Sequence, residues 1–251
     1  MKVDVDPFDL APDSRDAALC LHGLTATPYE VRPVGEQLAE HRIRAFGPAA
    51  PGHNTSVEDL VATPHTAWLD AARQNCEVLR NRHDRVFAVG MSMGALVSLA
   101  LAAEGLVDAV VSIGAPLRLG AAVRRLVPGL KHVWKGPKKK NGSDIRDPVA
   151  RARHPGYPIM PLAAVHELIR LQVHVEAKLE RLAAPILVAH GTHDKTANPA
   201  DAREIFERVA SQEKQLLMLD NSGHVATVDF DGPVVARAGA EFLTRFRSPQ
   251  S

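Results

Sequence analysis

Ser92 is the centre of the strongest chemical signal in this sequence. The segment Gly90–Gly94 reads GMSMG, which fits the pattern G-x-S-x-G. In that pattern a serine occupies a sharp turn between a strand and a helix, where backbone strain exposes its hydroxyl and glycines let chain segments approach closely. An apolar run, Val86–Val89, precedes the turn, and Met93–Ala103, which lacks helix breakers, follows it. This context favours a nucleophilic serine over a Gly-Ser turn without chemistry.

Asp194 and His224 supply the two further groups that a serine nucleophile needs. A histidine must take the hydroxyl proton, and a carboxylate must orient that histidine. The two residues follow the predicted strands Pro185–Ala189 and Gln215–Leu219, so each lies beyond the carboxyl end of a strand. The order Ser, Asp, His along the chain is the one expected when the serine lies on a strand-to-helix turn of this kind.

The neighbourhood of Asp194 leaves alternatives open. Asp220 and Asp229 are alternative acids. His190 and His193 flank Asp194 and suggest a metal site, but zinc needs three or four ligands of suitable geometry and no matching His-x-x-x-His pair is present. We therefore expect no metal. Histidines in helical or loop segments without catalytic order are interpreted as background: His41, His65, His83, His132, His154, His166 and His174.

Leu24 lies in a second segment with a candidate role. The segment His22–Thr25 reads HGLT and follows the predicted buried strand Ala17–Leu21. A backbone N–H in this position can face the oxyanion that develops when a carbonyl is attacked. We assign that role to the N–H of Leu24, with the N–H of Met93 as the second donor. The alternative is a glycine-mediated turn with His22 packed beneath it, and both can hold together.

Short apolar runs alternate along the chain with longer segments of helical periodicity. This alternation predicts an α/β fold, with a mostly parallel central sheet and helices on both faces. Ligands of such sheets bind beyond the carboxyl ends of the strands, which is where the candidate residues fall. Further predicted strands are Ile43–Phe46 and Ala109–Ile113, and further predicted helices are Ala67–Leu79, a segment with Val31, Val34 and Leu38, and a last helix with Val234, Ala238, Phe242 and Phe246.

Residues 118–181 interrupt this alternation. They contain 14 Lys and Arg against 5 Asp and Glu, so the segment carries a net charge of +9 while the remainder of the chain carries −8. The segment is rich in proline, and the apolar spacing in its second half predicts a helix over Ala163–Leu182. We expect a single domain over residues 1–251, in which residues 118–181 form an insertion between two sheet strands that folds over one face.

One basic run inside this insertion has two interpretations. Lys138–Lys140, followed by Asn141 and Gly142, is typical of a solvated turn. A phosphate-binding role stays open, although no aromatic stacking residue is interleaved and no glycine-rich cradle is present.

Composition excludes several classes of protein. Hydrophobic residues make up 45% and charged residues 24% of the chain, which excludes an intrinsically disordered protein because enough apolar surface is available to offset ordering. A formal net charge of +1 gives no case for binding nucleic acid or a membrane surface. Cys20 and Cys76 indicate neither a disulfide framework nor a zinc pattern.

Membrane insertion is likewise not expected. The uncharged run Val86–Ala103 is long enough to span a membrane, but the turn at Gly90–Gly94 interrupts it. The first residues are acidic where a secretory signal would be apolar. We therefore expect a cytoplasmic protein without stable membrane insertion.

Taken together, these motifs give the chain a family resemblance. The sequence resembles the α/β-hydrolase carboxylesterases of the Bacillus thermostable type, which are similar to monoacylglycerol lipases. The resemblance covers nearly all of the chain outside residues 118–160, and it is the set of motifs that is specific, since G-x-S-x-G alone is not. The matching segments are LHGLTATPYE (Leu21–Glu30), PGHNT (Pro51–Thr55), GMSMG (Gly90–Gly94), HDKTANP (His193–Pro199) and NSGHVATVD (Asn221–Asp229).

The resemblance implies the α/β-hydrolase fold, with residues 118–181 as a small helical cap over an acyl pocket. It implies no metal and no organic cofactor. Many relatives have an aromatic residue where this chain has Leu24, and G-H-G where it has Gly52-His53-Asn54; the first departure reshapes the acyl pocket. The residues that the resemblance assigns are the nucleophile Ser92, the acid Asp194, the base His224 and the oxyanion donors Leu24 and Met93.

The expected function is that of a serine carboxylesterase without cofactors. It would hydrolyse small esters, with short- to medium-chain acyl groups or of the monoacylglycerol kind, through an acyl-enzyme intermediate. One alternative is an acyltransferase or thioesterase, because the basic insertion would attract an anionic acyl carrier. Another is a non-catalytic small-molecule receptor on the same fold. The sequence leaves the oligomeric state open.

Overall fold

The computed structural model describes residues 3–139 and 142–249. Within them, the chain forms one seven-stranded sheet. Its strands are β1 (Phe8–Leu10), β2 (Asp16–Leu21), β3 (Ile43–Gly47), β4 (Arg85–Met91), β5 (Ala109–Ile113), β6 (Ile186–Gly191) and β7 (Lys214–Leu219).

The strand order is β1-β3-β2-β4-β5-β6-β7. Strand β1 pairs antiparallel with β3, and every other pair is parallel. The predicted mostly parallel sheet is therefore confirmed, and each strand expected from the sequence is present within two residues of its expected ends. Strand β1 was not expected, because three residues at a sheet edge carry too little pattern to be recognised.

Helices cover both faces of this sheet. Helices α3, α4, α7 and α8 pack on one face in a large apolar cluster, and α1 and α9 pack on the other. Helix α4 is apolar on all sides because it lies buried inside the first cluster. In chain order the helices are α1 (Arg32–Glu40), α2 (Val57–Ala62), α3 (His65–Arg80), α4 (Met93–Ala103), α5 (Ala121–Leu130), α6 (Pro148–Arg153), α7 (Leu162–Glu176), α8 (Ala200–Arg208) and α9 (Gly232–Thr244).

Helices α5, α6 and α7 lie between β5 and β6, where an insertion was expected. Helix α7 packs against α4 along one side and holds Val127 of α5 in a small separate cluster along another. The helix predicted over Ala163–Leu182 ends earlier, at Glu176, and a 3₁₀ turn at Leu179–Arg181 follows it. Leu179 is still buried there, so apolar spacing alone does not reveal where the α-helix stops.

Among the described residues, no helix is both long enough and apolar enough to cross a bilayer.

Candidate active site

Ser92 occupies a strained turn between β4 and α4. Its backbone angles are φ 55° and ψ −114°, a conformation that non-glycine residues rarely adopt. Gly94 faces the backbone of β2 so closely that a Cβ there would lie 2.1 Å from the carbonyl oxygen of Leu21. A Cβ on Gly90 would lie 2.2 Å from the carbonyl oxygen of Gly94. The strain and the close approach predicted from G-x-S-x-G are both confirmed.

The glycine requirement predicts that Gly94→Ala destabilises the fold. The added methyl group must displace backbone of β2, and such overpacking costs about 1–3 kcal/mol or more. Thermal or urea unfolding measures the loss. Gly120→Ala is the matched control, because a Cβ on Gly120 would meet nothing within 4 Å. Equal stability of the two variants would contradict the tight packing of the turn.

His224 links Ser92 to Asp194 through two short hydrogen bonds. Its Nε2 lies 2.8 Å from the hydroxyl oxygen of Ser92. Its Nδ1 lies 2.7 Å from Oδ2 of Asp194. An ionised carboxylate only accepts, so Nδ1 carries the proton and Nε2 is left to accept from the serine hydroxyl. The three residues singled out in the sequence therefore meet, in an arrangement that can draw a proton off a serine.

Asp194 is fixed in place from several directions. Its Oδ1 accepts the backbone N–H groups of Thr196 and Ala197, both at 2.8 Å. Its Oδ2 accepts from His224 and also from Nε2 of the fully buried His190, at 2.8 Å. Burial alone would raise the pKa of Asp194, but hydrogen bonds from the two histidines and from backbone hold it well below its usual range. The carboxylate thus stays ionised beneath His224.

The alternatives around Asp194 find other partners. Asp229 accepts the N–H groups of Gly223, Arg146 and Asp147. Asp220 is exposed, and within the described residues His224 bonds to neither. His190 donates a hydrogen bond to Asp194. This role was missed in the sequence, although His190 was noted four residues before Asp194. No cluster of three or more His, Cys, Asp or Glu suited to a metal ion occurs in residues 3–139 and 142–249.

His224 sets the expected dependence of activity on pH. Burial lowers the pKa of this imidazole, but the hydrogen bond to Asp194 and the nearby carboxylates of Glu30 and Asp144 outweigh it, so the pKa is raised above that of an ordinary histidine. Only neutral imidazole accepts the serine proton, so kcat/KM should be low at pH values below this pKa and should rise as the pH increases through it. Asp144→Asn, which removes one of the raising charges, should move this acid limb to lower pH. An acid limb that Asp144→Asn leaves unmoved would contradict this assignment.

Leu24 lies beside Ser92 in the loop that follows β2. A Cβ on the preceding residue, Gly23, would lie 3.3 Å from Cβ of Ser92. The N–H of Gly23 donates to Oε2 of the buried Glu30 at 2.9 Å, which ties the loop down. In the described part of the chain, the N–H groups of Leu24 and Met93 donate to no protein group. An amide N–H without a protein acceptor is free to donate to an oxyanion, as the sequence predicts for these two residues.

Two histidines brace this loop. Nε2 of His22 accepts the N–H of Ala50 at 3.0 Å, and its Nδ1 lies 2.9 Å from the carbonyl oxygen of Gly23. His22 is buried, as the turn interpretation predicted. Nε2 of His154 lies 2.9 Å from Oε1 of Glu30. His154, interpreted from the sequence as background to catalysis, therefore braces Glu30, a contact that no local pattern signals because 124 residues separate the two.

Ser92 and His224 line a cavity of about 770 Å³. Helices α5 and α7 provide a large part of its apolar wall, with side chains such as Leu126, Val165 and Leu168. A second part of the lining is polar and carries both signs of charge. Its titratable residues, apart from His224, are Glu30, Lys139, Asp144, Arg151, His154 and Lys195.

The expectation of a solvated turn at Lys138–Lys140 is wrong for Lys139. Its side chain lines the cavity, and its Nζ donates to Oγ1 of the buried Thr25 at 2.6 Å. Lys138 is exposed, as expected. Lys140 and Asn141 lie outside the described residues. The reason for the difference is tertiary, since Thr25 lies 114 residues away in the sequence.

Known proteins resemble this chain over nearly its full length. A thermostable monoacylglycerol lipase of Bacillus sp. (strain H-257) is 30% identical over 247 residues, covering 96% of this chain and 94% of the relative. A carboxylesterase of Bacillus subtilis (strain 168) is 27% identical over 233 residues, covering 91% and 92%. A solved structure of metagenome-derived lipolytic enzymes, LipS and LipT, superposes with a TM-score of 0.88 at 26% identity, covering 98% of this chain and 99% of that one.

A family model confirms the relationship. The family Hydrolase_4, described as serine aminopeptidase, S33, matches residues 12–231, which include the strained serine turn and both of its hydrogen-bonded partners. The sheet order, the serine turn and these relatives agree with the resemblance found in the sequence. The chain therefore belongs to the serine aminopeptidase S33 family of α/β-hydrolases.

Proposed function

We propose that this protein is a serine carboxylester hydrolase. The observation that carries the proposal is the unbroken line of hydrogen bonds from the Ser92 hydroxyl through His224 to Asp194, at 2.8 and 2.7 Å, beside a largely apolar cavity. The relatives named as a monoacylglycerol lipase and a carboxylesterase support ester substrates. Their family description names a peptidase, so the ester bond is the point that needs a test.

The proposed reaction passes through a covalent intermediate on Ser92. His224 takes the hydroxyl proton as the serine oxygen attacks the ester carbonyl, and the N–H groups of Leu24 and Met93 hold the oxyanion. The imidazolium, paired with Asp194, then gives its proton to the leaving alcohol. Water enters next, loses a proton to the same imidazole, and attacks the acyl group. The acid is released and the proton returns to Ser92.

We also propose that residues 118–181 act as a cap that shapes the acyl site. Helices α5 and α7 from this segment line the cavity with apolar side chains, several of which are partly exposed. An apolar wall of this kind suits the hydrocarbon chain of a short- or medium-chain acyl group. The proposed substrates are therefore carboxylic esters with an uncharged hydrocarbon acyl chain, including monoacylglycerols.

Parallel assays of purified protein test the proposed function. p-Nitrophenyl butyrate and a monoacylglycerol should be hydrolysed, and a fluorophosphonate should abolish that activity at one equivalent per chain. Aminoacyl p-nitroanilides provide the peptidase arm. Faster cleavage of the anilides than of the esters would overturn the proposal, and absence of both turnover and labelling would indicate a receptor.

A further inference from the structure

Hydrogen-bond partners already occupy the two carboxylates in the polar part of the cavity lining. Glu30 accepts from the N–H of Gly23 and lies 2.9 Å from Nε2 of His154. Oδ2 of Asp144 accepts the N–H of Lys195 at 2.7 Å and the hydroxyl of Thr196 at 3.2 Å. Acceptors in this region are thus engaged by the protein itself.

The cations in the same lining are not engaged in this way. Lys139 has three ammonium hydrogens, yet among residues 3–139 and 142–249 its side chain meets one acceptor, the hydroxyl of Thr25. The side chain of Arg151 makes a single long hydrogen bond within the described residues, at 3.5 Å, to the carbonyl oxygen of Ile145. In the described part of the chain, neither of them, nor Lys195, has a carboxylate within ion-pair distance. The unused hydrogen-bonding capacity of this lining is therefore that of donors carrying positive charge.

Lys139 is the most constrained of these cations. Burial lowers the pKa of its ammonium. The negative charge of the nearby Glu30 carboxylate opposes that effect through space. The ammonium is half-buried and, among the described residues, has no carboxylate partner, so an anion beside it would offset the cost of its desolvation. Its Nζ also lies against Thr25, the residue after Leu24, so the charge is close to the proposed oxyanion donors.

We propose that this polar lining is a subsite for an anionic group, a carboxylate or a phosphate, on the alcohol side of the ester, with Lys139 as its main contact. The acyl chain takes the apolar wall formed by α5 and α7, which leaves the polar lining to the leaving group. The inference rests on the proposed ester hydrolysis and names its substrate class. Arg151 and Lys195 add positive charge to the same lining.

A pair of esters that differ in charge tests the subsite. 4-Butanoyloxybenzoate and 4-butanoyloxybenzamide share the acyl group and the ring, and 4-butanoyloxyphenyl phosphate separates phosphate from carboxylate recognition. In Lys139→Met the ratio of kcat/KM for an anionic ester to that for the amide should fall by about 10- to 100-fold, as expected for losing a hydrogen bond to a charged group. Lys138→Met removes the same charge from the exposed neighbouring residue, and the ratio should stay within about twofold of the native value.

An unchanged ratio in Lys139→Met would overturn the proposal. If the ratio is unchanged because kcat/KM falls equally for charged and neutral esters, Lys139 only braces the loop at Thr25. If the neutral ester is hydrolysed but the charge of the ester has no effect on kcat/KM, the proposed subsite fails and the proposed ester hydrolysis stands. If no ester is hydrolysed, the proposed function fails and the subsite is tested by calorimetry with 4-hydroxybenzoate. Binding by the native chain that is lost in Lys139→Met then supports the subsite, and equal binding by the two overturns it.

Discussion

Ser92→Ala should lower kcat for p-nitrophenyl butyrate by about 10⁶-fold, because removal of a catalytic serine costs roughly that much in serine hydrolases. Alanine keeps the β carbon and the turn but has no oxygen to form the acyl-enzyme. Activity that remains would come from direct attack of water on the bound ester, with the oxyanion donors stabilising the oxyanion that forms on the carbonyl. Unfolding curves of the variant and of the native chain should agree to within about 1 kcal/mol, since the half-buried hydroxyl contributes one hydrogen bond, to His224.

Ser98→Ala is the matched control for this prediction. Ser98 is also in the chain segment after β4, but it is fully buried in α4 and its hydroxyl has no hydrogen-bond partner in the described structure. Removing that hydroxyl should leave kcat close to the native value. Native turnover in Ser92→Ala, with protein free of contaminating esterase, would contradict the role given to Ser92.

Asp194→Asn should lower kcat by about 10⁴-fold with the geometry intact. The N–H groups of Thr196 and Ala197 donate to Oδ1 of Asp194, so the amide oxygen of asparagine would be held there. The amide NH₂ would then face Nδ1 of His224, which would have to accept and leave the proton on Nε2. A protonated Nε2 cannot take the hydroxyl proton of Ser92, so the loss should appear in kcat more than in KM.

Asp220→Asn is the control for the acid. Asp220 is exposed and was an alternative candidate in the sequence, but in the described structure His224 hydrogen-bonds to Asp194 and not to Asp220. Its kcat should match that of the native chain, as measured on the same ester. A larger loss in Asp220→Asn than in Asp194→Asn would reverse the assignment of the acid.

The central strands and the three residues Ser92, Asp194 and His224 could be predicted from the sequence for physical reasons. Buried parallel strands are continuous apolar runs, and the turn at Gly90–Gly94 needs glycines on both sides of a strained serine. Asp194 and His224 each follow directly after such a strand, and parallel strands bring their carboxyl ends to one edge of the sheet. Local pattern and topology together were therefore sufficient to predict that these residues lie at one site.

Contacts between distant segments were beyond such reasoning. His154 meets Glu30, and Lys139 meets Thr25, through a proline-rich insertion without regular periodicity. His190 was recognised as close to Asp194, but whether it binds a metal or donates to the carboxylate depends on side-chain direction. Each of these contacts is decided by tertiary packing, for which neither propensity nor spacing carries a signal.

The acyl-enzyme on Ser92 can be detected by acid-quenched mass measurement during turnover of p-nitrophenyl butyrate. We expect the chain to gain the mass of one butanoyl group and the peptide containing Ser92 to carry it. His224→Ala should show no such gain, because the hydroxyl then lacks its base. Steady turnover by the native chain with no acyl group on Ser92, or with the group on another residue, would show that Ser92 is not the nucleophile.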